Sequence, residues 1–434
     1  QNESPGSVLF AAVSLPSASA VDRSKFKTCS DSNFCRRFND FRAIQDGSTA
    51  SQICGDGVCP TDLPTDEIMR PADRYVENVV GRSEGEYEFD LRHPHESEAH
   101  LLGKLSLYDC GAVRLRVDEK DGLYERFIIP EGDALLAEED ISPAQGVVSA
   151  PIPNGIGFSF DSSVGAGVRV ELLNPFKINV YSNDRLVQVI NDRGYLNMDR
   201  YRKKHHSRPK DPLAGTLPTL ENGLVIDAAT HGQSLDTRGL WEESFGGHTD
   251  QKPFGPSSVG LDVSFIESNA LYGLPEHATS LELPIYDEPY RLWNSDVFEY
   301  ELNDPMALYG TIPMLTTLHH PEAGQPPTAA SGFLWVNPSD TFTNHDKTEF
   351  SSISNSTMRS WWVSESGVID AVVFPGPDPA SILKQYHALT GPAPIPSISS
   401  LGKHQCRWNY RDEADVSEVA RAVGTDPRIG PKFL

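Results

Sequence analysis

Along much of the chain, apolar side chains fall on every second residue. Val113, Leu115 and Val117 alternate with Arg114 and Arg116, the period of a strand that buries one face. The same alternation returns at Val168/Val170/Leu172, at Phe176/Ile178/Val180 and at Val259/Leu261/Val263/Phe265. Turn-forming residues separate the runs, at Asn174-Pro175, Asn183-Asp184 and Asp192-Arg193-Gly194. Further strand signals lie at Leu308–Leu315, Phe333–Val336 and Val368–Phe374. Strands at this spacing predict a mainly β chain built as a large antiparallel sandwich.

Three stretches break the pattern. An acidic, Pro-containing segment around Thr61 to Val80 reads as a connector. Residues 200 to 250 open with Arg200, Arg202, Lys203, Lys204, His205 and His206 and then lose periodicity, as a long surface loop does. The run Thr390-Gly391-Pro392-Ala393-Pro394-Ile395-Pro396 is a linker. Beyond it, Leu401 to Trp408 reads as a strand and Asp412 to Val423 as a helix with acidic residues in its first turn. One β unit followed by one α unit is the start of an α/β domain.

Charge narrows the partners. The 434 residues carry 61 acidic and 37 basic side chains, a formal charge of −24, which repels nucleic acid and anionic lipid alike. The 34 Gly and 33 Pro suit a loop-rich β protein. Val8 to Leu15 is apolar and is followed by Pro16-Ser17-Ala18-Ser19-Ala20, the form of a secretory signal over residues 1–20. No segment reaches the ~18 apolar residues of a membrane span. Four of the six cysteines form the local pairs Cys29/Cys35 and Cys54/Cys59, suited to disulfides in an oxidising compartment. A zinc site from the same four is the rival, with looser spacing than common zinc knuckles. Sequons stand at Asn2 and Asn355, of which only Asn355 would survive signal removal.

Generic catalytic signatures are missing: no Gly-x-Ser-x-Gly elbow, no His-Glu-x-x-His zinc helix, no phosphate loop and no dinucleotide fingerprint. His205 and His206 lack acidic or Cys partners at ligand spacing. Neither metal nor cofactor is expected. What stands out is a density of aromatics, carboxylates and Gly between Trp241 and Tyr309. The strings are Trp241-Glu242-Glu243-Ser244-Phe245, Phe254 to Asp262, Leu271 to Ala278 and Pro289 to Phe298. Aromatic faces cover the C–H faces of a pyranose while carboxylates and Arg bond its hydroxyls.

These strings resemble glycoside hydrolase family 31. So do Lys25-Phe26-Lys27-Thr28-Cys29 with Asn33-Phe34-Cys35, similar to the family's small N-terminal disulfide element, Asn303 to Gly310, Trp362 to Gly367, and His404 to Val416. The resemblance covers most of residues 165–420. It implies a galactose-mutarotase-like β-sandwich followed by a (β/α)8 barrel that carries two catalytic aspartates. In such enzymes a sandwich loop reaches over the barrel mouth, and Asp296 and Phe298 fall on that motif, the carboxylate to bind sugar hydroxyls and the ring to wall the site.

The implied organisation is a signal at 1–20, a Cys-rich segment at 21–60, the sandwich at 61–390, and the first β/α unit of a truncated barrel at 397–434. No catalytic residue falls within these residues, so the chain alone is expected to be inactive, with 400–434 poorly ordered. From Gly424 to Leu434 the sequence departs from the family; Lys403 replaces a usual aromatic, and Thr279 stands where relatives often have Asp. The resemblance further implies a retaining α-glucosidase that trims glucose from N-linked glycans in the endoplasmic-reticulum lumen, with a mannose-recognising β subunit. A non-catalytic carbohydrate- or subunit-binding sandwich module is the alternative.

Overall fold

A computed structural model describes residues 21–46, 74–93, 98–201, 241–297, 299–320, 326–349, 356–402 and 404–425. The expected signal, Cys54, Cys59, His205, His206, Phe298, Asn355 and Lys403 lie outside the described residues. The chain divides into two compact units, residues 1–390 and 391–434.

The first unit is a pair of large antiparallel sheets. One runs in the order β1 (Tyr75–Ser83), β2 (Glu86–Arg92), β3 (Leu101–Leu107), β4 (Val113–Glu119), β20 (Ile369–Phe374), β17 (Ala329–Trp335), β16 (Met314–His319), β14 (Ser268–Gly273). The other runs β15 (Tyr290–Leu292), β18 (Thr341–Glu349), β19 (Ser356–Ser364), β13 (Val259–Phe265), β9 (Arg185–Ile190), β8 (Lys177–Ser182), β7 (Gly167–Leu173), β6 (Gly155–Asp161), β5 (Val148–Ile152). A short β10 (Asn197–Met198) also pairs with β13.

The period-two positions meet between the sheets. Leu115, Val117, Val170, Leu172, Ile178, Val180, Leu261 and Val263 are all buried in one cluster with Phe333, Trp335 and Trp362. Asn183 and Asp184 both take positive φ, 48° and 61°, the twist that a two-residue hairpin turn needs.

Helices cover each sheet from outside. Helix α1 (Asn33–Gln45) places Phe34, Phe38 and Phe41 on one stripe, and these pack on Tyr195, Phe342, Trp361 and Val363. The Phe38 ring lies against bare backbone, since a Cβ on Gly260 would come within 2.2 Å of it. A Cys29–Cys35 disulfide closes the turn before this helix. Helix α2 (Pro379–Thr390) covers the other sheet, setting Ile382 and Leu389 beside Ala330, Leu334, Val372 and Phe374.

Several boundaries differ from expectation. Strand β1 starts at Tyr75, inside the expected connector, because Val76 enters the core. The end of the expected loop at 200–250 folds as a hairpin, β11 (Glu242–Phe245) with β12 (His248–Gln251), turning at Gly246 and Gly247, both at positive φ. Ladder pairing near Leu308–Leu315 begins only at Met314, after Pro313, which has no N–H to donate.

In the second unit, α3 (Glu413–Thr425) forms the expected helix, capped at Asp412, whose carboxylate accepts from the Asp415 N–H at 2.9 Å. The expected strand at Leu401–Trp408 is not formed: a single 3-10 turn at Ile398–Leu401 precedes irregular chain. A strand exists only against a hydrogen-bonded neighbour, and no described residues pair with this segment.

Candidate functional site

Edge strand β15 delivers the chain into the loop that contains Asp296. It pairs only with β18, Tyr290 facing Thr343 and Leu292 facing Thr341. Between them Arg291 grips Asp340 through two parallel hydrogen bonds, 3.0 and 2.8 Å, the fork geometry that suits guanidinium to carboxylate. Its guanidinium also lies 5.2 Å from the centre of the Trp293 ring and donates to the Lys27 carbonyl at 3.4 Å.

The loop then folds back on itself. The Ser295 N–H donates to the Leu308 carbonyl at 2.7 Å. Asp296 is exposed, and its Oδ1 accepts from the Tyr309 hydroxyl at 2.7 Å. That hydroxyl also lies 3.0 Å from the Val297 carbonyl oxygen. Hydrogen bonding to the Asp296 carboxylate raises the Tyr309 phenol above its ordinary value. One carboxylate oxygen is thereby fixed, and the other faces water.

The string Leu271 to Ala278 braces this loop from below. Glu276 donates its N–H to the Gly310 carbonyl at 2.7 Å and accepts the Gly310 N–H on Oε2 at 3.0 Å. His277 keeps Nδ1 2.5 Å from the Leu274 carbonyl and turns its ring edge to Tyr290; burial lowers its pKa, so it is neutral. From the N-terminal side, Arg23 pairs with Asp304 at 2.6 Å and with Glu301, and the Cys29 N–H donates to Glu288 at 2.8 Å.

The Trp241 string serves a different end. Glu243 is buried with both Lys27 and Lys252 at 2.6 Å and accepts the Asn33 N–H at 3.2 Å. Burial alone would raise its pKa, yet the two ammonium groups pull it down to about 2. It is a joint between helix α1 and the β11–β12 hairpin rather than a sugar ligand. Phe254, in the next string, packs against Tyr124, with ring centres 4.1 Å apart and planes tilted by 36°.

An open cleft of about 540 Å³ adjoins the loop, with Trp293, Asn294, Thr311, Trp335, Asn337 and Tyr386 among its lining. No group of three or more His, Cys, Asp or Glu arranged to hold a metal occurs among the described residues. Sequence reasoning singled out Asp296 and assigned nothing to Tyr309 or Trp293, which fell in strings already named.

Residues 104–344 match the glycosyl hydrolase 31 N-terminal galactose mutarotase-like domain. The chain belongs to that family. Among relatives of this glycosyl hydrolase 31 domain is neutral alpha-glucosidase AB of Dictyostelium discoideum, 31% identical over 93% of this chain and 42% of its own length. A crystal structure of the glucosidase II alpha subunit, bound to alpha3-Glc2, superposes with a TM-score of 0.71 at 28% identity, covering 92% of this chain and 41% of that one. The catalytic subunit solved in the ER glucosidase II heterodimeric complex with the binding domain of the regulatory subunit gives 0.70 at 29% identity, again over 92% and 41%. The chain therefore spans about two fifths of the relatives it matches, and its two antiparallel sheets are the galactose mutarotase-like sandwich of the family.

Proposed function

We propose that this chain is the N-terminal portion of a retaining α-glucosidase that trims glucose from N-linked glycans, and that its Trp293–Gly310 loop supplies one wall of the sugar pocket. The observation that carries this reading is Asp296, held on one oxygen by Tyr309 in an exposed loop braced from Glu276 and Arg23. Its free oxygen accepts hydrogen bonds from sugar hydroxyls, and the family motif gives Phe298 the role of walling the site. Likeness to alpha-glucosidases supports the substrate class. Likeness to a catalytic subunit solved with its regulatory partner supports a β-subunit complex in the reticulum lumen.

Retaining hydrolysis needs two carboxylates about 5–5.5 Å apart, one attacking the anomeric carbon and one protonating the leaving oxygen. In this reading both come from the barrel, beyond the two fifths of the relatives that match. The 434 residues then orient sugar without cleaving it. A hydrolysis assay with an aryl α-glucoside tests this: the purified chain should show no turnover. Turnover abolished by substituting any carboxylate within residues 1–434 would overturn the assignment of roles.

A further inference from the structure

We propose that the cleft beside β15 is a second saccharide-binding site of the sandwich, one that takes a short neutral sugar through Trp293, Asn294, Thr311 and Tyr386. Its volume of about 540 Å³ falls within the ~300–1,000 Å³ of small-molecule sites. No lining residue carries a charge, although 23% of the chain is charged. A charged ligand would find no counter-ion there; a neutral one needs none.

The lining also holds hydrogen-bonding groups with nothing to bond. Asn337 is spent on its own loop, donating to the Ser366 and Val368 carbonyls and accepting from Ser339. Thr341 bonds the Ser339 carbonyl and the Ser364 hydroxyl. By contrast the Asn294 amide, the Thr311 and Tyr386 hydroxyls and the Trp293 indole N–H make no hydrogen bond among the described residues.

Trp293 is 46% exposed, and Arg291, itself locked on Asp340, supports its ring. A fixed aromatic face ringed by uncommitted amide and hydroxyl groups matches a pyranose, which presents C–H bonds on its face and hydroxyls around its rim. An apolar ligand would leave those polar groups unpaired. This site shares Trp293 and Asn294 with the Trp293–Gly310 loop but uses neither Asp296 nor Phe298, so substitution at Asp296 separates it from the pocket-wall reading.

The test is titration of the 434-residue chain with maltose, an α1,3-linked glucobiose and glucose 6-phosphate, followed by tryptophan fluorescence and ligand-observed saturation-transfer NMR. We expect saturable binding of the neutral disaccharides in the millimolar range, weaker binding of the phosphate ester, and affinity reduced at least about tenfold by Trp293→Ala. Asn294→Ala with Thr311→Val, which leaves the Trp293–Arg291 stack in place, should weaken binding as well. In Asp296→Ala the cleft signal should persist. Absence of saturable binding, binding that survives both cleft variants with circular dichroism unchanged, or loss of binding in Asp296→Ala would each overturn the proposal.

Discussion

Glu243→Gln keeps the shape of a buried side chain and removes one charge from the joint between the N-terminal segment and the hairpin. The carboxylate is 4% exposed and touches two lysines that are each 13% exposed. Its pKa falls from an ordinary 4.5 to about 2 in the folded chain. A gap of about 2.5 pH units at about 1.36 kcal/mol each gives about 3.4 kcal/mol. Screening at the partly wet lysines lowers this to about 2–3 kcal/mol. Because the folded pKa is depressed, this stability is fully present above pH 4.5 and is lost as pH falls towards 2.

Unfolding a unit of 390 residues carries an entropy of about 2.1 cal/mol/K per residue, or about 0.8 kcal/mol/K. The variant should therefore melt about 3 °C lower at pH 7. By pH 3 the difference should narrow to roughly 1 °C, since most of the unfolded-state carboxylate is then protonated. Differential scanning calorimetry of both proteins at the two pH values reads this directly. Equal melting temperatures at pH 7, or a gap that widens on acidification, would refute the ion-pair account.

Gly260→Ala forces a methyl group to within 2.2 Å of Phe38, an overpacking that should cost about 1–3 kcal/mol and lower the urea midpoint without changing the slope. His319 is buried between the Ile266 carbonyl and the Ser331 hydroxyl, and desolvation pushes it down to about 4. The unfolded chain then binds the extra proton, so stability should fall by about 3 kcal/mol as pH drops from 6.5 to 4; His319→Gln should flatten that slope in denaturation curves across pH. Tyr309→Phe, at an exposed position, should leave the melting temperature essentially unchanged in differential scanning calorimetry. Asp296→Asn should bring the Tyr309 phenol back towards its ordinary pKa of 10, visible in a tyrosinate absorbance titration.

The sandwich was legible because its signal is local. Val168, Val170 and Leu172 alternate within one strand, and Asn183-Asp184 dictates the turn that follows the next. What joins distant segments was not legible. Nothing around Glu243 announces Lys27, more than two hundred residues away, and so a buried ion-pair joint read as a sugar-like string of aromatics and carboxylates. The Leu401–Trp408 strand failed for a related reason, since apolar alternation specifies a strand only where a neighbour pairs with it. Asp296 was singled out by its motif, but its hydrogen bond to Tyr309 depends on a fold-back that spacing alone does not reveal.

The residues from Val21 to Asp31 act as a latch on the segment that carries Asp296. Arg23 reaches Asp304, the Lys27 carbonyl receives Arg291, and the Cys29 amide holds Glu288. A cut after Arg23 would remove the pair with Asp304 while leaving helix α1 and both sheets in place, and so would loosen the pocket-side loop. Preparations cut just before and just after Arg23 should therefore differ in ligand affinity before they differ in melting temperature.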